Sequence, residues 1–270
     1  MVRRPGILYG TAWKKDDTAA LVRKAVGLGF RGIDTACQPR HYNEAGVGTG
    51  LIACLKEGLA RADLYLQTKF TAVSGQDPAT IPYDPRAPLA EQVRQSFAAS
   101  LRNLHTDYVD GLILHSPMAS PDDTLQVWRA FEQLVDSGAA RQLGISNCYR
   151  LGALQALWSA ARVKPAVVQN RFHAETHYDR ELREFCRARQ ISYQSFWTLT
   201  ANPHLLAHAT VVGLASQRGR TPEQVLFRFL TQNGIVPLSG TRSEQHMRED
   251  LAIFDFELSA GECTALAALI

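Results

Sequence analysis

Four side chains able to move or steady a proton stand at or just beyond the ends of short apolar runs. They are Asp34 in Gly32-Ile33-Asp34-Thr35-Ala36, Tyr42 shortly after it, Lys69 closing Leu66-Gln67-Thr68-Lys69, and His115 closing Leu112-Ile113-Leu114-His115. A fifth run, Gly144-Ile145-Ser146-Asn147, ends in two polar residues. A carboxylate, a phenol, an ammonium and an imidazole together suit acid–base chemistry on a carbonyl. A lysine at the end of a buried strand needs a partner, and Asp34 is available on the preceding run. An ammonium beside a phenol lowers its pKa from about 10, which would let Tyr42 act as a general acid near neutral pH. His115 could donate a hydrogen bond to a carbonyl oxygen and so orient it. Taken singly, each has a plain structural use: Asp34 as a loop cap, Tyr42 and His115 as packed rings.

These residues need elements that bring them to one place. The apolar runs are 7–10, 32–34, 64–68, 111–114, 142–145, 167–169, 191–195 and 235–238, with helical text between them. Eight strands alternating with helices predict a (β/α)8 TIM barrel, an α/β fold whose strand C-termini all open on one face. Thr18–Leu28 has helical apolar spacing and meets Gly29, a C-terminal cap. Ser120-Pro121-Asp122-Asp123 reads as an N-cap, a first-turn proline and acids at the positive end of the helix dipole. Thr221-Pro222-Glu223-Gln224 is a capping box. The longest irregular stretch, 71–88, follows Lys69 and is placed over the active face, either as a functional loop or as a tolerated insertion. Two helical segments, 243–251 and 260–268, follow the last strand, and no long tail follows them to fold back over the barrel mouth.

The 270 residues suit one barrel domain spanning 1–270, with 46% hydrophobic and 20% charged residues. A formal net charge of +3 argues against nucleic-acid or membrane-surface binding. No signal peptide or membrane-spanning run is read in the sequence. Five scattered cysteines without a C-x-x-C pair predict reduced thiols and a cytoplasmic protein. His173 and His177 share i, i+4 spacing but lack the carboxylate support of a metal site, so no metal is expected.

The chain resembles the aldo-keto reductase family from about Tyr9 to Leu251. The likeness rests on Gly10-Thr11-Ala12-Trp13-Lys14, Gly32-Ile33-Asp34-Thr35-Ala36, Asn43-Glu44 with Val47-Gly48, Thr68-Lys69, the stretch 110–117, Gly144-Ile145-Ser146-Asn147 and Gln169-Asn170. The stretch Thr35-Ala36-Cys37-Gln38-Pro39-Arg40-His41-Tyr42-Asn43-Glu44 is similar to a branch of the family common in fungi. The resemblance implies a TIM barrel that binds a nicotinamide dinucleotide without a Rossmann domain, and no G-x-G-x-x-G follows a strand here. It implies reduction of an aldehyde or ketone by hydride transfer, with Tyr42 protonating the oxygen, Lys69 (held by Asp34) lowering the phenol pKa, and His115 orienting the carbonyl. Tyr42 lies eight residues after Asp34 where the family has five; anchoring on Asn43-Glu44 instead would put His41 in the tyrosine's place. Tyr42 is preferred because imidazole matches a lysine-tuned acid poorly.

For the cofactor, the resemblance points to Ser146, Asn147 and Gln169 at the carboxamide and to Phe196 stacked on the nicotinamide. Thr11, Trp197, Leu199, Ser239, Gly240 and Thr241 join them, with Glu249 and Asp250 at the adenine. Leu238 follows Pro237 where many members carry a phosphate-binding lysine. Arg242 or His246 would then take the 2′-phosphate, which favours NADPH, with NADH as the other possibility. Trp13, His41, Phe70 and Trp197 are candidate substrate-pocket residues, with Phe172 beside them. A small carbonyl compound is the expected partner, and a monomer or weak dimer the expected assembly. Two other readings stay open: a cofactor-binding regulatory protein on the same barrel, and an aldolase using Lys69 as a Schiff base.

Overall fold

The computed structural model describes residues 5–270. Eight parallel strands close into a barrel in sequence order. They are β1 (Leu8–Gly10), β2 (Gly32–Asp34), β3 (Tyr65–Phe70), β4 (Gly111–Leu114), β5 (Leu143–Ser146), β6 (Val167–Arg171), β7 (Ser192–Phe196) and β8 (Ile235–Ser239). All eight apolar runs of the sequence are therefore strands. The seam closes where β1 pairs with β8, Leu8 opposite Leu238 and Tyr9 opposite Ser239.

Helices α1 (Thr18–Leu28), α2 (Glu44–Lys56), α3 (Leu89–Leu104), α4 (Pro121–Asp136), α5 (Leu151–Ala160) and α6 (Arg180–Ala188) follow the first six strands in turn. Three helices follow β7, namely α7 (Pro203–Leu206), α8 (Ala209–Arg218) and α9 (Pro222–Gln232), and two follow β8, α10 (Glu244–Leu251) and α11 (Ala260–Ala267). The punctuation read from sequence is present. Gly29 ends α1 with φ 127°, a conformation that a side chain would resist. The Ser120 hydroxyl accepts from the Asp123 amide, and Thr221 and Gln224 form a reciprocal capping box.

The core lies between strands and helices, where Trp128, Phe131, Phe30, Val22 and Phe227 are buried. At the N-terminal end of the barrel Asp110 receives Arg61 (2.9 Å) and Arg141 (3.0 Å), and both guanidinium groups stack on the Tyr108 ring. That cluster lies opposite the strand C-termini, so the first residue of the 110–117 motif acts in stability.

The 71–88 stretch has one short 3-10 turn, Val73–Gly75, and is otherwise irregular. It is not a loose insertion. Gln38 Nε2 donates to the Gly75 carbonyl (2.6 Å), Gln76 Nε2 to the Cys37 carbonyl (2.9 Å) and the Tyr83 hydroxyl to the Thr71 carbonyl (2.7 Å). The loop thus braces the segment that carries Tyr42.

α2 reaches α3 by close approach at Gly48, where an added Cβ would collide with the Asn103 carbonyl oxygen. Gly213, inside α8, has open space around it. Gly48→Ala should therefore destabilise the protein by roughly 1–3 kcal/mol, whereas Gly213→Ala should be neutral or stabilising by up to about 1 kcal/mol. Denaturant titration of the two variants checks this; equal effects would contradict the packing described.

Candidate active site

Strand direction brings the four candidate residues together. β2 and β3 lie side by side with Asp34 opposite Gln67, and β3 pairs with β4 with Lys69 opposite Ile113. Lys69 points into the barrel, where its Nζ lies 2.5 Å from Asp34 Oδ2 and 2.9 Å from the Thr35 carbonyl oxygen. Both side chains are almost fully buried. Asp34 Oδ1 accepts from Gln67 Nε2 (2.7 Å) and Gln169 Nε2 (2.9 Å), so every lone pair facing the interior has a donor.

Tyr42 is positioned by a tight turn. The backbone amides of His41 and Tyr42 both donate to the Gln38 carbonyl (3.1 and 3.0 Å), and Cys37 donates to the Lys69 carbonyl (3.1 Å). Asn43 then caps α2 by accepting from Gly46 (2.8 Å). This turn absorbs the three extra residues between Asp34 and the tyrosine. The Tyr42 ring lies under the Lys69 ammonium, with Nζ 5.3 Å from its centroid, and edge-on to His115 at 6.0 Å and 70°. His41 instead stacks on Trp13, with centroids 4.0 Å apart. Tyr42 is thus the side chain beside the ion pair, and His41 belongs to the rim.

The electrostatics correct one expectation. The sequence predicts a phenol lowered by the lysine. In the structure burial raises the Tyr42 phenol above its ordinary range, and the charge on Asp34 pushes it further the same way. Burial is the main reason, and the short contact between Lys69 and Asp34 adds to it by offsetting the ammonium with a carboxylate of opposite sign. Burial also disfavours the charged form of Lys69, against the pull of Asp34. His115 is pushed down to about 3, first by burial and then by Lys69 and His41. Its imidazole is therefore neutral at physiological pH. Its Nδ1 lies 2.7 Å from the Thr71 hydroxyl and its carbonyl accepts from Asn147 Nδ2 (2.8 Å).

Tyr42, His115 and Asp34 face a cavity of about 980 Å³, and Lys69 lies beneath it. Trp13, His41, Ser146, Asn147, Gln169, Phe196, Trp197, Leu199, Ser239, Gly240, Thr241, Arg242, His246, Glu249 and Asp250 also line it. Trp13, Asn147 and Trp197 adopt left-handed backbone, with φ of 62°, 52° and 55°. Such strain concentrates at functional sites. Ser146 donates to the Gln169 carbonyl (2.6 Å), which ties β5 to β6 at the wall. The Ser239 hydroxyl donates to Asp250 (2.5 Å), and burial pushes that carboxyl up to about 6.

Three predicted residues do not reach the cavity. Phe70 follows Lys69, so strand alternation turns it outward, where it packs on Tyr83 (5.6 Å) and Phe131 (6.4 Å). Phe172, just past the end of β6, is fully buried and packs on Tyr178 at 4.9 Å rather than lining the pocket. The Thr11 hydroxyl donates to the Asp34 carbonyl (2.9 Å) and is fully buried. Arg242 does line the cavity, but its guanidinium pairs with Asp17 across the entrance.

Two contributors lacked a role in the sequence reading. Lys14 lines the cavity with its ammonium on the Gly240 carbonyl, and burial together with Arg242 brings it down to about 8. Its place directly after the Trp13 motif was the signal. Gln245 lines the same end, one helical turn before Glu249, to which its amide donates (2.9 Å). A second cavity of about 460 Å³ lies behind His115 and is lined by Thr71, Val73, Gln92 and Met118 among others.

A parallel barrel with an acid–base cluster at its strand C-termini is the class that fold and site define. A family model for the aldo/keto reductase family matches residues 6–270, and the chain belongs to that family. Glyoxal reductase of Bacillus subtilis strain 168 is 31% identical over 248 residues, which is 92% of this chain and 82% of the relative. An uncharacterised oxidoreductase of the same organism, YtbE, is 30% identical over 249 residues, with the same coverage. The crystal structure of an aldo/keto reductase from Brucella melitensis superposes with a TM-score of 0.84 at 30% identity, covering 98% of this chain and 95% of that one.

The depressed basicity of His115 makes a direct prediction. In an NMR titration of the ring nitrogens, assigned with His115→Gln, its signals should stay unmoved from about pH 8 to pH 5 while exposed histidines titrate. An inflection near the ordinary histidine value of about 6.5 would contradict the burial described.

Proposed function

We propose that this chain reduces aldehydes and ketones to alcohols with NADPH, using Tyr42 as the general acid. The observation that carries the reading is Tyr42 on the cavity wall, between the Asp34-locked Lys69 ammonium and the neutral His115. The cavity fits a dinucleotide by its donor set. Phe196 offers an aromatic face, and Ser146, Asn147 and Gln169 offer carboxamide partners. Lys14 and Arg242 supply cations for phosphates at the other end, with the His246 ring beside them. A reduced nicotinamide held there supplies the hydride.

The chain's own residues do the rest. A phenol raised by burial is fully protonated at neutral pH, which is the state a reductive acid needs. As Tyr42 gives its proton to the carbonyl oxygen, Lys69 opposes the charge left on the ring. In the tautomer in which Thr71 donates to Nδ1, His115 Nε2 carries the proton and donates to the same oxygen. The aromatic rim of Trp13, His41 and Trp197 favours apolar or aromatic carbonyl compounds. The free state of all five cysteines supports a reducing, cytoplasmic setting.

Lys69 is a poor nucleophile for an aldolase. It is 2% exposed, does not line the cavity, and donates to Asp34 and the Thr35 carbonyl. A purely cofactor-binding role would leave the acid, its lysine and the imidazole without a use.

Tyr42→Phe should cut carbonyl reduction by about 10²–10⁴-fold while NADPH affinity, read by fluorescence quenching, changes little. Assays with para-nitrobenzaldehyde and with NADPH and NADH in parallel check both parts. Wild-type turnover in the variant would sink the assignment of the acid, and a wild-type enzyme that binds NADPH without oxidising it would favour the binding-protein reading.

A further inference from the structure

The barrel interior at the level of Asp34 holds three glutamines where bulky apolar side chains usually fill the layers. They are Gln67 on β3, Gln169 on β6 and Gln194 on β7, each nearly or fully buried. The strand register sets Gln67 beside Asp34 and Gln169 beside Gln194.

Their amides close a ring. Gln67 Nε2 donates to Asp34 Oδ1 (2.7 Å) and to Gln194 Oε1 (2.9 Å). Gln169 Nε2 donates to the same two oxygens, at 2.9 Å each. Gln194 Nε2 donates back to Gln67 Oε1 (3.1 Å), which also accepts from the Tyr65 hydroxyl (3.1 Å). Every amide orientation is forced. A carboxylate only accepts, so Gln67 and Gln169 must turn their nitrogens to Asp34. Their second hydrogens then need an acceptor, which fixes the Gln194 oxygen. Flipping any one amide would set donor against donor or acceptor against acceptor inside a buried layer.

We propose that Gln67 and Gln194 are positioning residues for the reduction. They act through two neighbours, holding Asp34 Oδ1 so that Oδ2 is left to Lys69, and holding Gln169 at the cavity wall. The ring links the carboxamide side of the cavity to the base of the acid. Neither Gln67 nor Gln194 lines the cavity, so neither touches substrate or cofactor. The proposal rests on the reading that Tyr42, tuned by Lys69 and Asp34, is the acid.

Methionine matches glutamine in length and fills its volume without a donor or acceptor. Gln67→Met, which loses a hydrogen bond to the Asp34 carboxylate, and Gln194→Met, which leaves one amide hydrogen of Gln67 and one of Gln169 buried without a partner, should each lower kcat for para-nitrobenzaldehyde about tenfold, while NADPH affinity by fluorescence quenching shifts less than about threefold. Gln194→Glu is the rescuing variant. Burial and the nearby Asp34 charge raise its carboxyl, so at about pH 6 it is neutral and can accept from both amides and donate to Gln67. Lys69 and Tyr65 on β3 are the other ionisable groups of this layer. Gln194→Glu should then keep kcat within about threefold of wild type. A purely structural ring would lower the melting temperature and leave kcat alone.

Met variants with wild-type kcat, or a Glu variant no better than Met, would overturn the proposal. If Gln194→Met does not fold, Gln67→Met carries the same expectation. Tyr42→Phe run in parallel separates the two levels. Loss of turnover there with intact Met variants removes only the glutamines' role. Retained turnover in Tyr42→Phe removes the acid assignment and the proposal with it.

Discussion

The ion pair between Lys69 and Asp34 is the constraint on which the rest of the site depends. Two opposite charges lie 2.5 Å apart with almost no exposure to water. Burying either charge alone would be prohibitive; burying both is tolerable only with good geometry and with the remaining hydrogen-bonding capacity satisfied. The chain goes far toward both conditions. The Thr35 carbonyl accepts a second hydrogen bond from the ammonium, and Gln67 and Gln169 donate to the far carboxylate oxygen. Removing one partner from such a pair typically costs about 3–5 kcal/mol, so the geometry is rigid. Tyr42 and its turn are built on this fixed point, with Cys37 anchored to the Lys69 backbone.

That rigidity bears on how Tyr42 would work as the proposed acid. A free ammonium would make the phenol acidic in the resting protein. An ammonium already neutralised by Asp34 leaves the phenol protonated, with its value raised by burial. On the proposed reading, the lysine's effect is felt when charge develops on the ring, which is when it would assist reaction rather than ground-state ionisation. His115 complements this. Held neutral by burial and by the same ammonium, it brings no charge that would repel Lys69.

Much of this was legible in the sequence, for identifiable reasons. Eight strands showed as apolar runs because most are buried on both faces, and the caps at Gly29, Ser120 and Thr221 showed because each helix end needs a specific partner. The candidate residues at strand ends were legible because a parallel barrel leaves only one place for them to meet. Phe70 was misplaced because loop position was weighed above the two-residue alternation of strands, and Phe172 because loop position does not show the Tyr178 ring on which it packs. The glutamine ring was hidden because β3, β6 and β7 are far apart in sequence and an amide in an apolar run carries no mark of its partner. The phenol's direction was misjudged because the lysine was weighed without the burial that raises the phenol or the Asp34 charge that adds to it.

A double-mutant cycle on Asp34 and Lys69 tests the central claim most directly, read as the single-turnover rate of NADPH oxidation by an aldehyde. If the pair acts as one unit, Asp34→Asn and Lys69→Met should each slow the step by at least about tenfold, and the double variant should be no slower than the worse single, a coupling of at least ~1.4 kcal/mol. Two independent effects that add in full would contradict a shared ion pair as the foundation of the site.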